Sequence, residues 1–343
     1  MSFIMNIRSV AKYESKILVR SWFFRIFTLL AVVFLGFFNF AMMLMEDNFG
    51  LWFAKSVSSN IPYLNLLLLN TGQAVVAVFL SSEFLKRDKK LDTFEVFYVR
   101  PLSNAEYVVG KIWGNLRVFL FLNLLVLAIV LAFNFMASGV TVDLPAYLVY
   151  FFLISIPTLI FIIGLSIFLM LLLKNQALTF ILLLGYIGLT LFYIQDKFYY
   201  LFDYMVYNLP LFKSTIVGFS NLELILNHRA IYFFAGLGFI FFTIFLFKRL
   251  PNARRSHYPW LFLSFCMFLL MVTAGFRHVR SILWEGEMRA LYTSINNKYV
   301  YEPKMAIDYY DISVEQKSET IRSVAGMEGT APAASEVFIF CLN

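Results

Sequence analysis

Charged residues are scarce in this sequence, and they are unevenly spread. Only 14% of the 343 residues are Asp, Glu, Lys or Arg, whereas 61% are hydrophobic and 41 are Phe. This balance excludes a soluble fold for most of the chain and is typical of a membrane protein with several spans. The net charge of +7 does not favour nucleic-acid binding, because the basic residues cluster beside apolar runs, where they set membrane topology.

Cysteine, histidine and the common catalytic motifs are also nearly absent. Cys266 and Cys341 form no CxxC pair and predict no disulfide framework. His228, His257 and His278 are isolated, so we expect interface or loop positions rather than a metal site, which needs three or four converging donors. No P-loop, HExxH or Gly-x-Ser-x-Gly motif occurs. We therefore expect no catalytic, cofactor-binding or metal-binding residue in this chain, and no enzyme activity of its own.

Seven apolar runs are long enough to cross a membrane, which takes about 20 residues for about 30 Å of hydrocarbon. They cover residues 24–44, 62–84, 112–136, 147–173, 177–194, 230–247 and 260–276. The sequence therefore predicts an all-α polytopic membrane protein with about seven transmembrane helices. Six of them form a core in residues 24–250, and the seventh follows a basic turn in residues 251–280.

Lys and Arg residues in the connecting segments predict the orientation of these spans. With a cytoplasmic N-terminus, sixteen of these basic residues lie inside and four lie outside, as the positive-inside rule requires. We expect a multi-pass protein of the cell (inner) membrane whose C-terminal tail is external.

The stretch before the first span, residues 1–23, predicts a basic amphipathic helix. Its basic members, four residues apart, are Arg8, Lys12, Lys16 and Arg20, and its apolar members are Phe3, Ile7, Val10 and Ile17. Such a helix is suited to the inner membrane surface and to contact with lipid. The alternative is a short charge cluster without a role at the membrane.

The predicted spans carry no Asp, Lys or His near a midplane, and Glu83 lies at the cytoplasmic end of its span. The uncharged polar side chains inside the spans include Asn39, Asn65, Asn70, Gln73, Asn123, Ser155 and Thr179. Ion-driven carriers use ionisable groups within the membrane, so an ion-driven carrier is disfavoured. Amides in membrane helices more often hold helices together than bind a substrate, and both roles stay open here.

Residues 196–229, between the fifth and sixth spans, are half apolar and are predicted to be external. Two interpretations are equally consistent with this composition. The segment either lies in the interface or dips into the membrane as a broken pair of short helices, or it is an aromatic-rich surface loop.

The tail, residues 281–343, changes character. A helical stripe predicts a helix on the outer membrane surface. Its members are Trp284, Met288, Leu291 and Ile295. Alternation over residues 310–315 and an apolar run at 337–342 predict strands. Three strands in such a short tail make a marginal domain, so we expect the start of a truncated external β domain.

The longest charged interruption in the first 250 residues runs from Phe79 to Lys111, between the second and third spans. Its first half is consistent with a helix, because apolar residues recur on one face. Pro101 biases the residue before it out of helix, and Ser103 to Glu106 has the form of a capping box, which opens a new helix. The stretch therefore predicts a helix, a break and a second helix.

This stretch resembles the loop between the second and third spans of type-2 ATP-binding-cassette (ABC) exporter permeases. In that family an acidic residue and an Arg precede a short coupling helix, and a Thr-x-Glu element, a Pro-small-Ser turn, an acidic residue and Gly-Lys follow. The matching positions are Glu83, Arg87, Thr93, Glu95, Pro101, Ser103, Glu106, Gly110 and Lys111. Asp92 departs from the pattern, since the family often has Gly there. With the amphipathic start and six spans, the resemblance covers residues 1–250.

The resemblance implies export from the cytoplasm, driven by ATP and Mg²⁺ bound to two copies of a separate ABC ATPase subunit. These subunits would dock under the coupling loop, residues 84–111, and a second permease copy or a paralogue would complete the pathway. The extra span and tail resemble larger fusions with an external domain, sometimes one similar to aminopeptidase N. The alternative function is therefore a non-transporting membrane anchor for such a domain.

Overall fold

The computed structural model describes residues 2–44, 59–82, 102–136, 142–194, 196–209, 211, 213, 218–219, 221–247, 258–300, 306–317 and 320–330. The chain forms two compact units. The first comprises Met1–Phe212 and Asn221–His278, and the second comprises Lys213–Ser220 and Val279–Asn343.

Eight long helices occur in the described part of the chain. They are α1 (Ser2–Arg20), α2 (Trp22–Leu44), α3 (Asn60–Ser82), α4 (Asn104–Met136), α5 (Leu144–Leu173), α6 (Gln176–Ile194), α7 (Leu222–Leu246) and α8 (Tyr258–Tyr299). The last seven are long and apolar enough to span a membrane. The predicted multi-pass, all-α fold is confirmed.

Helices α4 and α7 both begin about two turns earlier than the apolar runs predict. In α4 the early turns carry Glu106 and Lys111, which are buried against other helices. In α7 they carry His228 and Arg229, which are also buried. The apolar runs therefore placed the beginning of these two helices too late. The polar side chains interrupt the apolar pattern, although they are satisfied inside the protein rather than by water.

Helix α5 packs against α3, α4, α6 and α7, and its contact with α7 is the most extensive of the four. A Cβ atom added to Gly236 would lie 2.7 Å from backbone atoms of Ile160 and Phe161, and one added to Gly164 would lie 2.7 Å from the Gly236 carbonyl oxygen. Only glycine permits this approach, as is common where membrane helices cross.

The membrane-spanning part of α8 runs antiparallel to α7. Ser264 Oγ donates a hydrogen bond to the Gly238 carbonyl oxygen near one end (2.9 Å), and His278 lies beside the Leu224 carbonyl oxygen at the other (3.4 Å). Few side chains of α8 are buried within the described structure, so α8 contacts the other helices through one face only.

Four buried side chains close a polar ring between α3, α4 and α5. Gln73 donates to Asn70 (2.6 Å), Asn123 donates to Gln73 (2.8 Å), Ser155 donates to Asn123 (2.7 Å) and Asn70 donates to Ser155 (3.3 Å). These predicted polar residues therefore hold helices together, and they satisfy one another.

A second amide pair joins α2 to α3. Asn39 Nδ2 donates to Asn65 Oδ1 (2.7 Å), and Asn65 Nδ2 donates to Asn39 Oδ1 (3.0 Å). Both residues are buried, although most of α2 is exposed. The pair fixes how α2 faces the bundle.

The second unit contains an antiparallel hairpin of β1 (Ala306–Lys317) and β2 (Thr320–Thr330). This confirms the strand predicted at residues 310–315, whereas residues 337–342 lie outside the described part. The stripe that contains Trp284 belongs to α8, which continues unbroken to Tyr299. The helix predicted at this stripe is therefore confirmed as a continuation of α8, and its place on the outer membrane surface stays a prediction.

Candidate functional site

Four of the nine predicted coupling residues, Ser103, Glu106, Gly110 and Lys111, lie in the described part of the chain, and the structure brings all four to the start of α4. The other five lie outside the described residues. They are Glu83, Arg87, Thr93, Glu95 and Pro101.

The predicted capping box is confirmed. Ser103 Oγ accepts a hydrogen bond from the Glu106 backbone N–H (3.2 Å), and Glu106 Oε2 accepts one from the Ser103 backbone N–H (2.6 Å). Glu106 also accepts through Oε1 from Asn6 Nδ2 of α1 (2.9 Å). One carboxylate therefore caps α4 and ties it to α1.

Two glycines form the seat for α1 on α4. A Cβ atom added to Gly110 would lie 2.7 Å from Val10 Cβ, and one added to Gly114 would lie 2.7 Å from Glu14 Cβ. Residues four apart share one face of a helix, so the pair makes a shallow groove that lets the backbones approach closely.

An ion pair is buried in the same contact. Lys111 Nζ lies 3.7 Å from Glu14 Oε2, and each side chain is 4% exposed. The Tyr107 ring lies beside the same ammonium group, 5.1 Å from its centroid. Removing one partner of a buried pair costs about 3–5 kcal/mol, because the other charge is left desolvated.

Arg117 belongs to this contact and was not predicted. Its Nη2 donates to the Ala11 carbonyl oxygen (2.8 Å) and its Nε to Ser15 Oγ (2.5 Å), while Ser15 Oγ donates to the Gly114 carbonyl oxygen (2.7 Å). A basic residue within an apolar run indicates a buried polar contact. Arg117 lies in such a run, at residues 112–136.

Helix α1 packs on α4 through a face that the sequence pattern did not predict. Its basic residues Arg8, Lys12, Lys16 and Arg20 are exposed, as predicted. Its buried face consists of Ala11, Glu14, Ser15 and Leu18, and the predicted apolar stripe is at most half-buried. Contact of this stripe with lipid at the inner membrane surface stays a prediction.

The end of α7 completes this cluster. Asn104 Nδ2 donates to the Phe247 carbonyl oxygen (2.6 Å), and the Tyr107 and Phe247 rings stack with centroids 5.6 Å apart. We call the contact of α1, the start of α4 and the end of α7 the joint. Its residues are Asn6, Glu14, Ser103, Asn104, Glu106, Tyr107, Gly110, Lys111, Gly114, Arg117 and Phe247.

A second cluster lies at the other end of α7, around residues 196–209, which we call the inserted segment. Asp203 to Val206 are fully buried, so an ordinary surface loop was a wrong prediction. The alternative, a segment that dips into the membrane as a broken pair of short helices, stays a prediction; among the described residues 196–209 the helical turn is the single one at Phe198–Tyr200. The Tyr204 ring packs on Phe161 and Tyr186, well inside the bundle.

The irregular backbone of this region is satisfied by side chains of the spans. Thr158 Oγ1 donates to the Tyr204 carbonyl oxygen (3.2 Å), and the Tyr63 hydroxyl donates to the Val206 carbonyl oxygen (3.3 Å). The Tyr150 hydroxyl donates to the carbonyl oxygen of the nearby Leu211 (3.0 Å). Non-helical backbone within a membrane protein needs such partners.

Arg229 is the main support of the inserted segment. Its guanidinium donates to the carbonyl oxygens of Leu153 (2.7 Å), Tyr204 (2.8 Å) and Ile154 (3.4 Å), and to Thr158 Oγ1 (2.8 Å). The sequence pattern predicted that Arg229 lies in an external loop. This prediction is wrong, because the residue is buried in α7.

Two of the three carbonyl groups that Arg229 uses, those of Leu153 and Ile154, come from a local distortion of α5. Residues Phe151–Ser155 form a π-helical turn, and Pro157 follows two residues after its end. Proline has no N–H to donate to the carbonyl group four residues earlier, which is that of Leu153. The distortion therefore exposes an acceptor that the arginine satisfies, and π-turns often mark functional sites.

Asp203 shapes the buried turn from the other side. Its carboxylate accepts from the backbone N–H groups of Tyr207 (2.9 Å) and Asn208 (2.8 Å). Burial raises the pKa of the Asp203 carboxyl above its ordinary value of 3.8, and these two N–H groups and the charge of Arg229 oppose the rise. The inserted segment thus carries a buried titratable group.

Loop or interface positions were predicted for the histidines. The two that the structure describes, His228 and His278, are instead buried side chains of helices. His228 Nε2 donates to the Tyr200 carbonyl oxygen (3.0 Å), and His278 Nε2 donates to that of Tyr199 (2.9 Å). Among the described residues no group of three or more His, Cys, Asp or Glu side chains is arranged to hold a metal ion. Both histidines contact the start of the inserted segment.

No protein-family model matches this chain, and no curated protein matches it either. The resemblance to permeases therefore depends on the residues of the loop and on the order of the spans.

Proposed function

We propose that this chain is the permease subunit of an ATP-driven ABC exporter in the cell (inner) membrane, with its N-terminus in the cytoplasm. Two copies, or this chain and a paralogue, would form the pathway, and two ABC ATPase subunits that bind ATP and Mg²⁺ would dock under residues 84–111. The joint carries this proposal, because it contains the last residues of this loop and connects three helices.

The joint is suited to transmit a push from the loop. A force on residues 84–100 would reach α4 through its capped first turn, where Ser103 and Glu106 hold the backbone. Helix α1 would move with α4, since the glycine seat and the buried Lys111–Glu14 pair join them.

Helix α7 offers a route from the joint to the inserted segment. Asn104 and Tyr107 contact its last turn, and Arg229 near its first turns donates to the Tyr204 carbonyl oxygen. The helix has 25 residues and is therefore roughly 37 Å long. In this proposal ATPase closure displaces the joint, and α7 transfers the displacement to the inserted segment, which acts as the outer gate.

The test is to isolate the tagged chain from its native membranes and identify bound proteins by mass spectrometry. We expect an ABC ATPase to co-purify, and we expect the double substitution Arg87→Ala with Glu95→Ala to abolish its binding. Gly188→Ala is the matched control, since a Cβ atom there meets nothing within 4 Å. Absence of the ATPase from the unmodified complex, or its undiminished binding to the double variant, would contradict the proposal.

The competing function is a membrane anchor for an external domain, which the exposed hairpin β1–β2 favours. An anchor needs no ATPase and keeps its function when α2–α7 are replaced by an unrelated span. A permease loses its function in that replacement. The two functions are therefore separated by one chimaeric protein assayed in cells.

A further inference from the structure

Three consecutive residues at the start of the inserted segment have an unfavourable backbone. Phe198, Tyr199 and Tyr200 have φ angles of 53°, 59° and 63°. Side chains other than glycine rarely adopt this left-handed region, and a strained turn persists only where its surroundings hold it. The groups that hold this turn therefore control its shape.

Those groups come from α7 and α8. His278 of α8 donates to the Tyr199 carbonyl oxygen, His228 of α7 donates to that of Tyr200, and the Tyr232 hydroxyl donates to that of Leu201. The two imidazole rings lie 5.0 Å apart. Successive carbonyl groups of the strained turn are thus held by side chains from two different helices.

The two helices hold the segment with different strength. Arg229 of α7 is fully buried and makes four hydrogen bonds to the segment and its surroundings. His278 makes one short bond to the segment, from a helix that is attached to the bundle mainly along α7. A small displacement of α8 would therefore break the bond to Tyr199 and leave the Arg229 contacts in place.

We propose that α8 is a latch for the inserted segment: His278 keeps the turn at residues 198–200 in its strained form, and displacement of α8 lets this turn relax and opens access to residues 203–206. This inference depends on the geometry of α7, α8 and the turn, and it holds whether or not an ATPase binds the loop. It assigns a controlling role to the seventh span, which lies outside the six-span core.

Two conservative variants separate the latch from general packing. In His278→Gln the side-chain NH₂ group can take the place of Nε2 and still reach the Tyr199 carbonyl oxygen. In His278→Asn it takes the place of Nδ1 and reaches only towards the Leu224 carbonyl oxygen, which lies 3.4 Å from Nδ1. Arg277→Ala is the control, since the ion pair that it removes, with Glu223 of α7, is exposed and contributes little.

Accessibility of the segment is the measurement. In a background with Cys266 and Cys341 replaced by Ser, Met205→Cys places a thiol at a fully buried position, and its reaction with a maleimide in detergent is timed. We expect His278→Asn to accelerate labelling about fivefold to tenfold, the effect of one lost hydrogen bond. His278→Gln and Arg277→Ala should label like the parent. Equal rates for the Asn and Gln variants would overturn the latch.

Hydrogen exchange of the unmodified protein gives a second test that needs no variant. A latch requires the amides of residues 200–206 to become accessible in the same opening event as the turn of α8 around His278. We expect one common opening rate for these two regions, faster than that of α4. Separate rates for the two regions would contradict the proposal, even if both histidine variants failed to fold.

Discussion

The two ends of α7 are built on different principles. At the joint, regular helices meet through glycines and a buried ion pair. At the inserted segment, irregular backbone lies inside the bundle, and side chains of the spans supply its hydrogen bonds. In the two proposals above, the first arrangement would move as one body, whereas the second would change shape when a single donor is withdrawn. We therefore call the joint the stiff end of α7 and the inserted segment its deformable end.

The largest effect is expected at the deformable end. Arg229→Met removes the arginine donor from the carbonyl oxygens of Leu153 and Ile154 and from Thr158 Oγ1, and it leaves the Tyr204 carbonyl oxygen with Thr158. Hydrogen bonds to a charged group contribute about 1.5–3 kcal/mol each. We expect a loss of at least about 3 kcal/mol of unfolding free energy and a strong fall in Tm in detergent. Arg277→Met, at an exposed arginine, should change stability by less than about 1 kcal/mol. Similar Tm values for the two variants would remove the contrast between the ends.

The stiff end is tested through its glycine seat. Gly110→Ala forces Val10 and α1 away from α4, at a cost of about 1–3 kcal/mol for overpacking. We expect faster limited proteolysis of α1 in this variant. Gly188→Ala, which meets nothing, should be neutral or slightly stabilising, since alanine favours helix over glycine. Unchanged proteolysis of Gly110→Ala would mean that α1 is not fixed by this seat.

A smaller effect is expected at the cap of α4. Glu106→Ala removes the acceptor for the Ser103 backbone N–H and for Asn6, and a lost cap costs about 1 kcal/mol. Glu106→Gln keeps a side-chain oxygen, so it should retain at least half of this stability. Thermal unfolding of both variants measures the difference. The cap would be unimportant if the two were equally stable and matched the parent protein.

The smallest effect concerns pH. Because burial raises the pKa of Asp203 in the folded protein, proton binding favours the folded state. This contribution is complete below the ordinary pKa of 3.8 and disappears as the pH rises through the raised value. We expect Tm to fall over that window in the parent protein and to fall less in Asp203→Asn. Parallel Tm profiles would mean that Asp203 titrates normally.

Much of the fold could be predicted because hydrophobic length and helix capping are local properties. All seven spans, the Ser103–Glu106 box, the exposed basic face of α1 and the strand around Tyr310 follow from residues close together in sequence. The amides could be predicted as contacts between helices, whereas their partners could not.

The errors occur where a polar residue finds its partner far along the chain. Arg229 seemed external because no neighbour in sequence offers acceptors, and two of its acceptors lie about 75 residues away in a distorted turn of α5. The burial of the inserted segment could not be predicted for the same reason, since its donors come from four different helices. Periodicity cannot reveal a backbone that is satisfied only by tertiary contacts.

The polar ring of Asn70, Gln73, Asn123 and Ser155 bears on where a cargo can travel. Each side-chain nitrogen and oxygen of the ring already has a partner inside the ring. A polar solute passing between α3, α4 and α5 would have to break these bonds, and the four side chains would offer it no vacant donor or acceptor in exchange. If the chain forms a transport pathway as proposed, that pathway therefore lies elsewhere than between these three helices at the level of the ring.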